Sequence, residues 1–353
     1  MAFLFKRNPK TPQELVRALN DSIIKLDSQA DYLKKYQDEA SRYLHQVKFI
    51  LHGDDENDPL PDQIGVLAQE IYMNDTLYVL VSHLKRLDFD SRKDVLIIFS
   101  TLLRRQIRDK SPTVDYLINS KPEILIMLLK GPESPDIGLI LGQILRDCIK
   151  YEKINQFILN NKLVWNYFNY VQISIFEIAT DSFTTLHDLL TIHKSLVAKF
   201  LDDNYQFFTN NMNKLMQSSN YVVKRQSVRL LLEIVLQKSN KSFLYKYFDD
   251  SNNLKLIMLL LNDKSKNLQI EAFDIFKFFI VKPKKSQKVL DILIKNKQNF
   301  LNFFKNFDIQ TNNSNLIDEK DFVLAEIEKL PDIERKDFPI RKANETNEIV
   351  FEN

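Results

Sequence analysis

Three observations predict an all-α chain built from stacked helical repeats. The first is glycine: the 353 residues contain five, at 53, 65, 131, 138 and 142, and none after Gly142. Tight β-turns and phosphate-cradling loops rely on glycine's freedom at positive φ, so most of the chain has little means of making them. The second is periodicity. Helix starts are read near Ser91, Ser134, Ser174, Asn220 and Ser265, at spacings of 43, 40, 46 and 45 residues. A shorter apolar helix precedes each: LYVLVSHLKRL, EILIMLLK, LVWNYFNYV, FFTNNMNKLMQ and LKLIMLLL. A short and a longer helix recurring every ~40–47 residues is the armadillo/HEAT pattern, in which no repeat buries its apolar face alone. The third is the poverty of strand signals, with no Asn-Gly or Asp-Gly turn and few alternating β-branched runs. The expectation is an armadillo/HEAT-type helical-repeat solenoid, a curved rod over residues 1–330, followed by a mobile acidic tail over 331–353.

The elements follow in order. Thr11-Pro12-Gln13-Glu14 has an N-cap, a proline at the first helical position and a glutamate that closes a capping box. An amphipathic helix runs from there to about Leu26, and a more charged one to about His52. The acidic loop from Gly53 to Pro59 invites a calcium reading. Counted from Asp54, however, it offers Pro59 and Gly65 where an EF-hand needs glycine and glutamate. The repeats occupy the chain from about Gln63. LIDEKDFVLAEIEKLPD then adds a last amphipathic helix, stopped near Pro331. From Asp318 onward eleven acids face six bases.

Composition excludes several function classes. A net charge of +2, with 44% hydrophobic and 27% charged residues, is ordinary for a folded soluble domain. The one cysteine, Cys148, rules out an internal disulfide, fits a reducing compartment and reads as a small buried hydrophobe. No apolar run reaches the length of a membrane span, and the opening MAFLFKRNPK is too short for a signal peptide. The histidines at 45, 52, 83, 187 and 193 share no metal-ligand spacing, and no nucleotide-binding, serine-hydrolase or kinase motif is present. The residues therefore predict a cytosolic or nuclear protein without catalytic activity, metal or cofactor.

What remains is a charged stretch. Between Ser219 and Lys297, sixteen Lys or Arg stand against seven Asp or Glu. Read as a helix, its first piece puts Val223, Ser227, Leu230, Leu231 and Ile234 on one face, and Tyr221, Arg225 and Arg229 four apart on the other. An aromatic–guanidinium stripe suits protein recognition. The alternative is a basic helical-repeat nucleic-acid-binding protein. Against it, most aromatics fall at core spacing, as with Phe273, Phe276 and Ile280, and the stripe has no counterpart in the Ser91 or Ser134 helices.

The blocks TLLRRQIRDKSPTVDYL, LRDCIKYE, NYVVKRQSVRLL, NLKLIMLLLNDKSKNLQIEAFDIFKFFIVKPKKS and LDILIKNK closely resemble the calcium-binding protein 39 family, also called Mo-25-like proteins. The likeness runs from FKRNPKTPQEL to about Pro331, and LIDEKDFVLAEIEKLP is most like the fungal members. The resemblance implies a non-catalytic scaffold that binds and activates Ste20/germinal-centre-group kinases or pseudokinases. In fungi it implies signalling for polarised growth and cell separation, through a downstream nuclear-Dbf-related kinase. It further implies a partner held through a C-terminal Trp-x-Phe-type tail. From the residues no nucleic-acid or membrane partner is expected, and the chain is expected to be a monomer by itself, cytoplasmic and concentrated at the cell cortex or growth sites. Residue by residue, Arg225, Met258 and Lys295 match the family's tail-pocket positions. Tyr221 and Phe176 match aromatic positions that face the kinase on the concave side. One departure stands out. LQKSNKSF has a two-residue insertion relative to the animal segment, with Lys238 in place of an arginine, so an animal-type three-part complex is not expected.

Overall fold

The structure is a computed structural model that describes residues 9, 11–27, 33–53, 59–307 and 314–332. Part of the acidic loop, residues 54–58, and the tail beyond residue 332 lie outside the described residues. The chain divides into two compact units, Met1–His193 and Lys194–Asn353.

The first unit contains α1 (Pro12–Ile24), α2 (Leu33–His52), α3 (Pro61–Met73), α4 (Thr76–Ser82), α5 (Phe89–Arg104) and α6 (Pro112–Asp115). A π-helical turn follows α6 at Tyr116–Ser120. Then come α7 (Pro122–Leu129), α8 (Pro135–Ile149), α9 (Glu152–Leu159), α10 (Tyr167–Tyr170) and α11 (Phe176–Thr191). The second unit contains α12 (Lys194–Asp203), α13 (Tyr205–Met216), α14 (Tyr221–Leu236), α15 (Lys241–Tyr247) and α16 (Ser251–Leu261). It continues with α17 (Lys266–Val281), α18 (Gln287–Lys295), α19 (Lys297–Lys305) and α20 (Ser314–Glu328). Among the described residues the only β-type pairing is the bridge between Ile107 and Lys110. The fold class is the all-α helical-repeat solenoid that glycine usage and periodicity predict.

The caps explain where the helices begin. Thr11 Oγ1 accepts the Glu14 amide at 3.2 Å, Asn220 Oδ1 accepts Val222 N at 2.9 Å, and Ser265 caps α17 through Leu268 N. Asp88, rather than Ser91, caps α5: its carboxylate accepts both the amide and the hydroxyl of Ser91. Long helices then stack on long helices, α2 on α5, α5 on α8 and α8 on α11 in the first unit, and α14 on α17 and α17 on α20 in the second. The spacing reading counted two helices per repeat. The structure adds a third short one after the long helix, α9 after α8, α15 after α14 and α18 after α17, which is the armadillo arrangement.

Within each unit the core is a seam between these layers. The face predicted on α14 is buried, including Ser227, whose hydroxyl donates to Val223 O at 2.7 Å and so carries no unsatisfied polar group inward. Rings dominate the far part of the second unit: Phe276 lies 5.0 Å from Phe300 and 5.6 Å from Phe304, centroid to centroid. Cys148 is fully buried on α8, and that burial pushes its thiol well above the usual range, so it packs as a hydrophobe. Two turns depart from the glycine rule, one at Asp75 before α4, with φ of 53°, and one after α5. Arg108 and Asp109 hold φ of 48° and 62° to close the Ile107–Lys110 bridge, which is strained backbone for residues with a Cβ.

Candidate partner-binding surface

The site is built on α14 and α17, two 16-residue helices that run side by side in the second unit. With Val223, Leu230, Leu231 and Ile234 turned inward, geometry sends Tyr221, Arg225 and Arg229 outward. Tyr221 is 44% exposed, and its hydroxyl lies 3.1 Å from Ser265 Oγ, the cap of α17. Arg225 donates Nε–H to Glu271 Oε1 at 3.1 Å; its side chain is 35% exposed and that of Glu271 13%. Glu271 Oε2 is buried without a hydrogen-bond partner. One turn away, Lys224 reaches Asp263 Oδ2 at 3.1 Å, while Asp263 Oδ1 accepts the Ser265 amide. The aromatic–guanidinium stripe is therefore not loose. Each of its first two members is fixed on its inner side by α17 and open on its outer side.

The structure brings Tyr221 and Arg225 together on one helix face. Met258 is on α16 with 3% of its surface exposed, because LKLIMLLL is apolar on nearly every side and the neighbouring helices cover it. Lys295 ends α18 and is exposed. Phe176 opens α11 in the first unit, 65% exposed. Glu271 and Ser265, which anchor the stripe, were not among the residues the sequence singled out as binding. Nothing local marks Glu271, whose partner stands 46 positions away.

The geometry also bears on the charge of this stretch. Lys224, Arg225, Lys246, Lys277, Lys282 and Lys297 each hold a carboxylate within ion-pair distance. At least six of the sixteen basic residues are thus engaged inside the unit, three of them with acids outside the stretch, Asp202, Glu319 and Asp332. In the first unit, a groove of about 680 Å³ between α2 and α5 is lined by Ser41, His45 and Asp94, residue types that can form a nucleophilic triad. Here Lys48 takes Asp94 Oδ1 at 2.7 Å, His45 Nδ1 stands 3.7 Å from Asp94 Oδ2, and among the described residues no hydrogen bond joins Ser41 to His45, so the three are not connected as a triad. Among the described residues, no group of three or more His, Cys, Asp or Glu could hold a metal ion, and no helix is long and apolar enough to cross a membrane.

The profile of the Mo25-like family matches residues 3–331. The chain belongs to the Mo25-like family. A human "Calcium-binding protein 39-like" is 43% identical over 328 residues, covering 93% of this chain and 97% of that one. A "Mo25-like protein" of Schizosaccharomyces pombe is 39% identical over 94% of this chain and 100% of its own. "Protein HYM1" of Saccharomyces cerevisiae is 37% identical over 94% and 86%. Animal and fungal Mo25-like relatives thus align along almost their whole length with this chain, both of its compact units included.

Proposed function

We propose that this chain is a non-catalytic scaffold that binds protein kinases or pseudokinases of the Ste20/germinal-centre group and holds them in their active form, in signalling for polarised growth and cell separation. Membership of the Mo25-like family supports the class of function. The observation that carries it to residues is the outward Tyr221–Arg225 face, anchored from behind by Ser265 and Glu271. Aromatic and arginine side chains held in place before binding lose little entropy on binding, which is what makes such residues interface anchors. In this reading Arg225 and Lys295 take an acidic or carboxylate-bearing Trp-x-Phe-type tail, and Met258 supplies no more than a floor beneath it. Phe176 and Tyr221 face the kinase domain.

Activation without catalysis is population shift. A kinase is inactive while its regulatory helix and Lys–Glu pair are out of place. A scaffold that binds only the closed form raises that form's population in proportion to its preference, and moving the balance from mostly inactive to mostly active needs about 3–5 kcal/mol. The reading places the chain in the cytoplasm, at the cortex or growth sites, as a monomer by itself. The acidic loop gives no support for a part played by calcium, because it lacks the glycine and glutamate of an EF-hand.

The test is the activity of a purified Ste20-group kinase with and without the chain, beside Arg225→Ala. A strong rise that the variant loses, at unchanged helical content, is the expected result. Binding without any rise would reduce the chain to a passive adaptor. Salt-sensitive affinity for DNA or RNA in place of kinase binding would favour the nucleic-acid reading, which the core spacing of most aromatics argues against.

A further inference from the structure

A second surface of the Lys194–Asn353 unit is independent of the Tyr221–Arg225 face. The hydroxyl contact between Tyr221 and Ser265 sets the starts of α14 and α17 side by side, and both helices run 16 residues. Their last residues, Leu236 and Val281, therefore finish at the same edge, and both point out, 59% and 47% exposed. Two connections leave from there, the 3-10 turn Lys238–Asn240 into α15 and the segment Lys282–Ser286 into α18. The second is lashed to α15 and the turn after it. Lys282 Nζ donates to Tyr245 O at 3.2 Å, lies 4.9 Å from the centre of the Tyr245 ring and pairs with Asp249. Ser286 N donates to Asp249 Oδ1 at 2.9 Å, and Ser286 Oγ donates to Asp249 O at 2.7 Å. Tyr245, 57% exposed, thus joins Leu236 and Val281 on one rim.

The charge of this rim is one-sided. Positions 236–249 and 281–288 hold seven lysines and a single carboxylate, Asp249. Lys282 uses that carboxylate, and Lys246 reaches outside the rim to Asp202. Among the described residues no carboxylate pairs with Lys238, Lys241, Lys284 or Lys288, all of them exposed. Folding does not account for them. Lys284, Lys285 and Lys288 surround the start of α18, whose first turn has no acid, and positive side chains at the positive end of a helix are electrostatically unfavourable. At Lys285 burial is the main influence and pushes the ammonium below its ordinary value, Glu326 of α20 pulls it back, and the neighbouring Lys282 pushes it further down. An anionic neighbour would relieve that crowding.

We propose that this rim docks peripherally on an anionic lipid bilayer, with Leu236, Tyr245 and Val281 entering the interface and the surrounding lysines meeting the headgroups. Three exposed apolar side chains on three separate helices, among unpaired lysines, fit a laterally deformable apolar surface that carries negative charge. An extended acidic peptide would want its apolar anchors along one groove, whereas these stand on three separate helices. The sequence excluded a membrane partner for want of a spanning segment; peripheral contact needs none. The inference goes beyond the kinase reading, since kinase activation in solution is measured without vesicles.

The experiment is co-sedimentation of the full chain with vesicles of phosphatidylcholine alone and with about a third phosphatidylserine. Retention on the anionic vesicles only, weakened by salt, is expected. Lys284→Glu with Lys288→Glu should weaken it at least about twentyfold, since each lysine near an anionic surface is worth about fivefold and reversal counts more. Val281→Ser should weaken it about fivefold. Melting temperature serves as the folding control. Should the first pair melt early, Lys238→Glu with Lys241→Glu takes its place with the same expectation. Equal retention on neutral vesicles, or anionic retention that both charge reversals leave intact, overturns the proposal. Retention on immobilised polyglutamate but on neither vesicle would also overturn it, and would give the rim to an acidic protein partner.

Discussion

Two arginine–carboxylate pairs join successive long helices, one in each unit, and they do different things. Arg146 of α8 meets Asp181 of α11 at 2.7 Å, with side-chain exposures of 13% and 14%. Its guanidinium also donates to Thr185 Oγ1 at 3.1 Å and to Gln143 Oε1 at 3.0 Å. Arg225 of α14 meets Glu271 through Nε alone, and about a third of its side chain is open to solvent. The approach differs as well. A Cβ at Gly142 would fall 2.0 Å from Asp181 Oδ2, so the absent side chain on α8 is what lets the first pair close. A guanidinium with most of its donors spent is a rivet; one with donors to spare is a contact waiting for a partner. The chemistry of the pair does not separate these roles, but the number of acceptors around it does.

The largest expected effect tests the rivet. Arg146→Ala leaves Asp181 enclosed without its counter-charge, and the loss should be about 3 kcal/mol, measured by urea unfolding near neutral pH. Acid should soften it. Burial already holds the Asp181 carboxyl above its ordinary value, with Arg146 pulling it down. A raised carboxyl favours folding in its protonated form, so its contribution is present at low pH and is lost as pH rises from 3.8 through the raised value. Without Arg146 that value rises further, so the gap between variant and parent should narrow as pH falls through it. A gap that stays constant or widens in acid would show that Asp181 is not the group left exposed to the loss. Next in size is Gly142→Ala. Overpacking against Asp181 costs about 1–3 kcal/mol, and alanine's helix propensity returns about 1 kcal/mol, so a net loss of about 1 kcal/mol is expected in thermal unfolding. A gain in stability would mean that Asp181 can step aside and that the pair is no rivet. Arg225→Ala leaves Glu271, only 13% exposed, without its partner, so it too should cost about 1–2 kcal/mol, while removing kinase activation.

The long helices and some of their caps were legible because they are local. Asn220 and Ser265 precede 16-residue amphipathic runs, and the face from Val223 to Ile234 is buried as its spacing says. The third helices were not legible. α15 buries only Phe243 and Tyr247 in seven residues, too few for a period to show. The site was half legible. Tyr221 and Arg225 lie off an unambiguous apolar face, so their exposure could be read directly. Met258 and Phe176 sit among apolar neighbours, and only packing decides that the first is covered while the second stands out at a helix start. The carboxylates that sort Arg146 from Arg225 come from distant helices, Asp181 and Glu271, and no spacing rule within one helix reaches them.

The smallest expected effect sharpens the open pair. Tyr221→Phe removes one hydroxyl contact, to Ser265, at an exposed position, and should cost about 0.5 kcal/mol. Its value lies in what it separates. The ring stays, so if the outward face acts through aromatic area, Tyr221→Phe keeps most of the kinase activation that Tyr221→Ala loses. If instead the Ser265 contact is needed to hold the start of α14 and aim Arg225, Tyr221→Phe should lose activation nearly as fully as Arg225→Ala while the melting temperature barely moves. Parallel kinase assays and melts on the three variants decide between an anchor that binds and an anchor that positions.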